Sequence, residues 1–124
     1  MQKLSLAISV FLLLACLAPL DALANKSAVK IEAPSEAAKG SDIVIKLTVV
    51  HKGNSALHYT KWLKVSVNGK PFEQWEYSSS RRPEGETFTK EITVKAVENM
   101  DITAEASCNL HGSVGPATAK IAIR

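Results

Sequence analysis

Four side chains in this sequence could do chemistry together. Cys108 and His111 stand three residues apart in Cys108-Asn109-Leu110-His111-Gly112. A thiolate and an imidazole on one glycine-closed turn can bind a single metal ion without moving the rest of the chain. The other two of the three histidines, His51 and His58, lie together well upstream. A site of three histidines and one cysteine follows if the fold returns His51 and His58 to the Cys108 turn. Soft thiolate with imidazole suits iron, copper or zinc and argues against calcium or magnesium. Taken singly, a loop histidine is an ordinary surface group and a lone cysteine an ordinary buried one; the combination carries the reading.

The elements that must position these groups read as strands. Ile43, Ile45, Leu47 and Val49 alternate with Val44, Lys46, Thr48 and Val50, the period of a half-buried strand, and His51 continues the parity of the isoleucines. It therefore emerges at the strand's end on the inner side. Lys52-Gly53-Asn54-Ser55 is a loop, and His58-Tyr59 follows closely enough to fold back beside His51. Leu63, Val65 and Val67 mark the next strand, and Asn68-Gly69 is the strongest hairpin signal in the chain. Phe72 to Tyr77 reads as its partner and Ser78 to Gly85 as a polar loop. Phe88, Ile92, Val94 and Ala96 share one face of a long strand. After a turn at Glu98-Asn99, Ile102, Ala104, Ala106 and Cys108 share a face of the next, which puts the cysteine on the core side. Gly115-Pro116 opens a last strand with Ala119, Ile121 and Ile123. Near the start, Val29-Lys30-Ile31 is an edge strand, and Ala33-Pro34-Ser35-Glu36 and Lys39-Gly40-Ser41-Asp42 are turn material.

Strands of this length and spacing, with no stretch amphipathic enough for a helix, predict an all-β fold: an immunoglobulin-like antiparallel β-sandwich of about seven strands. A sandwich gathers strand ends at its poles, so His51, His58 and the Cys108 turn can share one.

Residues 1–24 read as an export signal. Lys3 precedes an apolar run from Leu4 to Leu20, and Ala22-Leu23-Ala24 supplies the small residues of a cleavage site. The run is too short and wrongly flanked for a membrane span, so no membrane insertion is expected after its removal. A lipoprotein signal ending at Cys16 fits less well, because Leu14 is a poor residue two before such a cysteine. The expected mature chain is one domain, 25–124, in a bacterial periplasm. There Cys108 has no disulfide partner, and an unpaired thiol in an oxidising compartment calls for burial or a metal. The net charge of +3 is spread along the chain with Arg81-Arg82 as the only basic pair, which gives no support for nucleic-acid binding. Ser-His-Asp order, a phosphate-binding glycine loop and Cys-x-x-Cys are all missing, so the usual enzyme classes gain nothing.

The Cys108-Asn109-Leu110-His111-Gly112 motif, with a strand ending in His51 and His58-Tyr59 ahead of Trp62, resembles the iron domain of superoxide reductases, the desulfoferrodoxin and neelaredoxin family. The resemblance spans roughly Ile43 to Gly112. It implies a mononuclear iron, Fe(2+)/Fe(3+), in an immunoglobulin-like sandwich, with superoxide reduced to hydrogen peroxide and an electron donor protein as partner. It makes Cys108 the axial ligand and His51, His58 and His111 three equatorial ones, with Lys30 and Lys52 as catalytic candidates for drawing in the anion. The family's remaining histidine lies in a Glu-Lys-His-x-Pro setting near the N-terminus. The counterpart is Lys30-Ile31-Glu32-Ala33-Pro34, where Ile31 stands in the ligand's place.

Two other readings compete. His, then much later Cys-x-x-His on a sandwich, is the cupredoxin order, but no methionine follows His111 and His58 has no role there. The opening from Ile31 through Gly40 to His51, with Asn68-Gly69-Lys70-Pro71, is diffusely similar to the sulfur-oxidation subunit SoxZ, a non-catalytic partner-binding module. Self-assembly into a homo-oligomer is compatible with all three.

Overall fold

The computed structural model describes residues 25–124; the export signal read in 1–24 lies outside them. The strands are β1 (Ala28–Glu32), β2 (Glu36–Ala37), β3 (Asp42–Val50), β4 (Thr60–Val67), β5 (Lys70–Glu76), β6 (Thr87–Lys95), β7 (Met100–Cys108) and β8 (Ala117–Ile123), and the described residues contain no helix. They form two sheets, ordered β1-β3-β6 and β2-β8-β7-β4-β5. The expected all-β sandwich is the fold. The extra strand is β2, two residues that pair parallel with β8; Glu36 reads in the sequence as the end of a turn, because two residues carry no alternation.

Strand parity decides the core. Ile43, Ile45, Leu47 and Val49 of β3 are buried beside Phe88, Ile92 and Val94 of the neighbouring β6, and across the core from them lie Leu63 and Val65 of β4 and Ile102, Ala104 and Ala106 of β7. Burying a side chain such as Ile45 or Leu47 is worth about 1.5–3 kcal/mol, and that gain fixes register, since a one-residue slip would turn every one of them to water. Val29 and Ile31 of β1 pack partly onto the same core, leaving Lys30 on the outer face.

The chain crosses between sheets through segment 51–59, which joins β3 to β4, and through 77–86 and 96–99. Asn68 and Gly69 carry φ angles of 51° and 78°, the mirror-image turn that suits the right-handed twist of a two-residue hairpin. One irregularity bears on the site. Between Thr60 and Trp62 the pairing of β4 with β7 shifts by one residue, so Thr60 rather than Lys61 stands opposite Cys108. This bulge turns the Thr60 hydroxyl inward, where it meets Ser27 Oγ at 2.8 Å.

Candidate metal centre

Three segments meet at one pole. The inner-face parity of β3 runs past its last residue and delivers His51 buried, with only 3% of its surface exposed. The parity of β7 delivers Cys108, 4% exposed, at the end of a run of small and apolar residues. Cys108 then opens a tight turn, its N–H donating to Gly112 O at 2.8 Å and the Gly112 N–H returning to Cys108 O at 3.2 Å. Gly112 sits at φ +80°, a conformation that glycine adopts without penalty. His58 is half-buried and closes a turn with Ser55, whose hydroxyl and carbonyl both accept from the His58 N–H.

Donor atoms converge here. His51 Nε2 lies 3.1 Å from His58 Nε2, and His58 Nε2 lies 3.2 Å from His111 Nδ1. Cys108 Sγ is 3.8 Å from His111 Nδ1. One ligand atom from each of His51, His58 and Cys108 falls within 4.8 Å of the others. His111 is exposed and stands outside that tighter set, touching it through His58 and Cys108. The ring planes cross nearly at right angles, 86° and 79°, so the rings meet edge-on rather than stacked.

Hydrogen bonding alone does not account for this packing. His58 Nε2 has a single in-plane site, a proton or a lone pair, and two other ring nitrogens press on it. A cation at the focus would satisfy all three. Two nitrogens about 2.1 Å from one ion and at right angles to each other are about 3.0 Å apart, close to the 3.1 and 3.2 Å observed. Burial, reinforced by the neighbouring His58 and then His111, holds His51 below the usual histidine range, although backbone groups of Asn25 and Gly53 pull the other way. Its ring is thereby kept neutral, the form that coordinates metal. His51 Nδ1 is buried and makes no well-formed hydrogen bond. The Leu110 N–H points at Cys108 Sγ from 3.4 Å, a donor suited to a thiolate.

Of the lysines singled out in the sequence, Lys52 follows His51 and lines an open cleft of about 370 Å³ together with His51, Lys26 and Glu86. Lys30 does not reach the cluster; it lies on the outer face of β1, 3.6 Å from Glu32. Ile31 is not there either. It pairs with Leu47 on β3, about 13 Å down the strand from His51 at 3.3 Å per residue. The residues of the first strand region that do reach this pole are Asn25 to Ala28, and buried Ser27 bonds the Gly112 and Val114 backbone. Ser27 and Lys26 carried no signal in the sequence.

The family model described as desulfoferrodoxin matches residues 20–114. The chain belongs to the desulfoferrodoxin family. The resemblance carried by Cys108 to Gly112 therefore holds at the level of the family. Among solved structures, the superoxide reductase (neelaredoxin) from Ignicoccus hospitalis is similar at 21% identity and TM-score 0.67, covering 80% of this chain and 82% of that one. The CARDB domain of a Pyrococcus furiosus protein, solved with di-metal ions, matches at 14% identity and TM-score 0.60, covering 81% and 94%. The sulfur carrier protein SoxY from Chlorobium limicola f thiosulfatophilum matches at 11% and 0.55, covering 77% and 78%. At these identities the likenesses show a shared sandwich and nothing finer. No curated protein sequence matches the chain.

Proposed function

We propose that this desulfoferrodoxin-family chain is an exported mononuclear iron protein that reduces superoxide to hydrogen peroxide. The observation that supports it most is the meeting of His51, His58 and His111 nitrogens with the Cys108 thiol at one pole of the sandwich. In this reading those four residues hold the iron. Bound there, iron would supply the one electron that, with two protons, converts superoxide to hydrogen peroxide, and an electron donor protein would restore it.

The chain's own groups have separate tasks. Cys108 contributes a negative sulfur from the buried side, and the Leu110 N–H tempers its charge. His51 enters neutral and buried, fixed by the end of β3. Lys52 and Lys26, partly offset by Glu86, give the cleft beside His51 a positive edge that favours approach of a small anion. Lys30, paired with Glu32 on the outer face, adds only to the general field.

Protein loaded anaerobically with ferrous iron should bind it stoichiometrically and, on mild oxidation, show a visible thiolate-to-ferric band. Returned to the ferrous form and supplied with an excess one-electron reductant, the protein should consume superoxide with one peroxide formed per superoxide, where dismutation would form one per two. Iron binding without that ratio would remove the reductase reading and keep the metal site. No metal binding at all would remove both. Export is tested separately: protein recovered from the periplasm should begin at Asn25.

A further inference from the structure

We propose that Asn109 is the positioning residue that holds His58 beside Cys108. The two ligands of the proposed site arrive on unrelated segments. His58 sits in the crossing from β3 to β4, and Cys108 ends β7 at the turn toward β8. Their separation is therefore set by whatever ties the segments together. Asn109 does this with three of its polar groups. Its backbone N–H donates to Tyr59 O at 3.0 Å, its Oδ1 accepts the Tyr59 N–H at 3.0 Å, and its Nδ2 donates to Leu57 O at 3.2 Å. The residues on both sides of His58 are thus gripped by the residue next to Cys108.

The other side of the imidazole is closed by Gly53. A Cβ there would lie 2.5 Å from His58 Nδ1 and 2.9 Å from Cε1, so only a bare backbone fits. With Gly53 behind the ring and Asn109 holding its chain, His58 Nε2 stays between His51 and His111. The amide also matters beside sulfur. Asn109 Oδ1 lies 3.8 Å from Cys108 Sγ and is already engaged by the Tyr59 N–H. A neutral side chain makes this grip without placing a charge beside a thiolate, whereas aspartate could accept the same bond only by adding one.

This inference rests on the reading of Cys108 and His58 as metal ligands, but the grip itself needs no metal, which allows the two to be tested apart. The full chain would be studied metal-free and with cobalt(II) as the spectroscopic probe. In metal-free Asn109→Ala, loss of the Oδ1 bond to the Tyr59 amide, with the Nδ2 bond to Leu57 lost beside it, should speed exchange of that amide by at least about 5- to 10-fold, while amides of β3 and β6 keep their protection. Cobalt(II) affinity should fall by about 10- to 100-fold, the usual cost of removing a group that orients a ligand. Asn109→Asp should restore most of the Tyr59 protection and move the thiolate-to-cobalt band, a signature that a merely structural asparagine would not produce. Wild-type exchange at Tyr59 in Asn109→Ala, together with unchanged cobalt affinity, would overturn the proposal. A wild-type protein that binds neither cobalt nor iron would sink the metal reading instead. Tyr59 exchange and the His58 ring resonances would then still decide whether Asn109 holds the segment. Should Asn109→Ala not fold, Asn109→Leu, which keeps the bulk and removes both side-chain bonds, decides: wild-type Tyr59 exchange with full cobalt affinity overturns the assignment.

Discussion

The two poles of the sandwich are built from similar parts and finished differently. Each has an asparagine that ties one turn to another strand. At the pole of the β4–β5 hairpin, Asn68 Oδ1 accepts the Asp101 N–H at 2.8 Å and its Nδ2 donates to Asn99 O at 3.2 Å. Asn99 Oδ1 in turn accepts the Ile123 N–H at 2.8 Å. Those polar groups end in each other. At the opposite pole Asn109 ties the segments just as firmly, but the side chains gathered around those ties are three imidazoles and a thiol whose donor atoms lie close together. A pole that serves the fold closes its hydrogen bonds, and a pole that serves chemistry keeps lone pairs aimed at what it is to bind.

The comparison can be broken most sharply at Cys108. Cys108→Ser should abolish the thiolate-to-ferric band of the oxidised, iron-loaded protein, leaving the fold intact by far-UV circular dichroism; a surviving band would mean that another group supplies the charge transfer. Next in size is Gly53→Ala. Its Cβ would strike the His58 ring, and φ at this position is +154°, where L side chains are rarely found. Metal affinity should fall by about 10- to 100-fold, read by competition with a chromophoric chelator. At the other pole the pattern should invert. Asn68→Ala removes two side-chain bonds and a residue suited to positive φ. It should cost about 1–2 kcal/mol in denaturant unfolding and leave metal binding unchanged.

How much of this was legible beforehand differs by element. The inner parity of β3 and β7 could be read straight from Ile43 to Val49 and from Ile102 to Ala106, and in both strands it runs on to a donor residue, His51 and Cys108. Asn68-Gly69 announced its hairpin. Other features had no local mark. Glu36–Ala37 is a strand only because β8 lies alongside. Thr60 faces inward only because of the bulge that follows it. The likeness of Lys30 to Pro34 to a ligand segment dissolves once β1 is registered on β3, because Ile31 then sits at Leu47.

The smallest expected effect concerns a part-exposed pair that joins the 77–86 crossing to β6. Lys90 donates to Glu84 at 2.7 Å, and that bond holds the Glu84 carboxyl below its usual range. A depressed carboxyl stabilises the fold at pH above the unfolded-chain value of about 4.3, and the contribution is lost as pH falls through the folded value. Glu84→Gln should therefore cost about 0.2–1 kcal/mol at neutral pH, since the carboxylate is largely in water. The difference from wild type should vanish in acid, as followed by urea unfolding across pH.

By itself the sequence determined the strand periods, the hairpin, and the chemical kinds of the donors, because side-chain alternation and turn conformation are settled by near neighbours along the chain. Only the tertiary structure decided that His51, His58, Cys108 and His111 meet, that Lys30 and Ile31 do not join them, and that Asn109 spans the gap. Those facts depend on which strands pair, in what register, and where the chain crosses between sheets. Each is set by burying one continuous core across residues far apart in sequence.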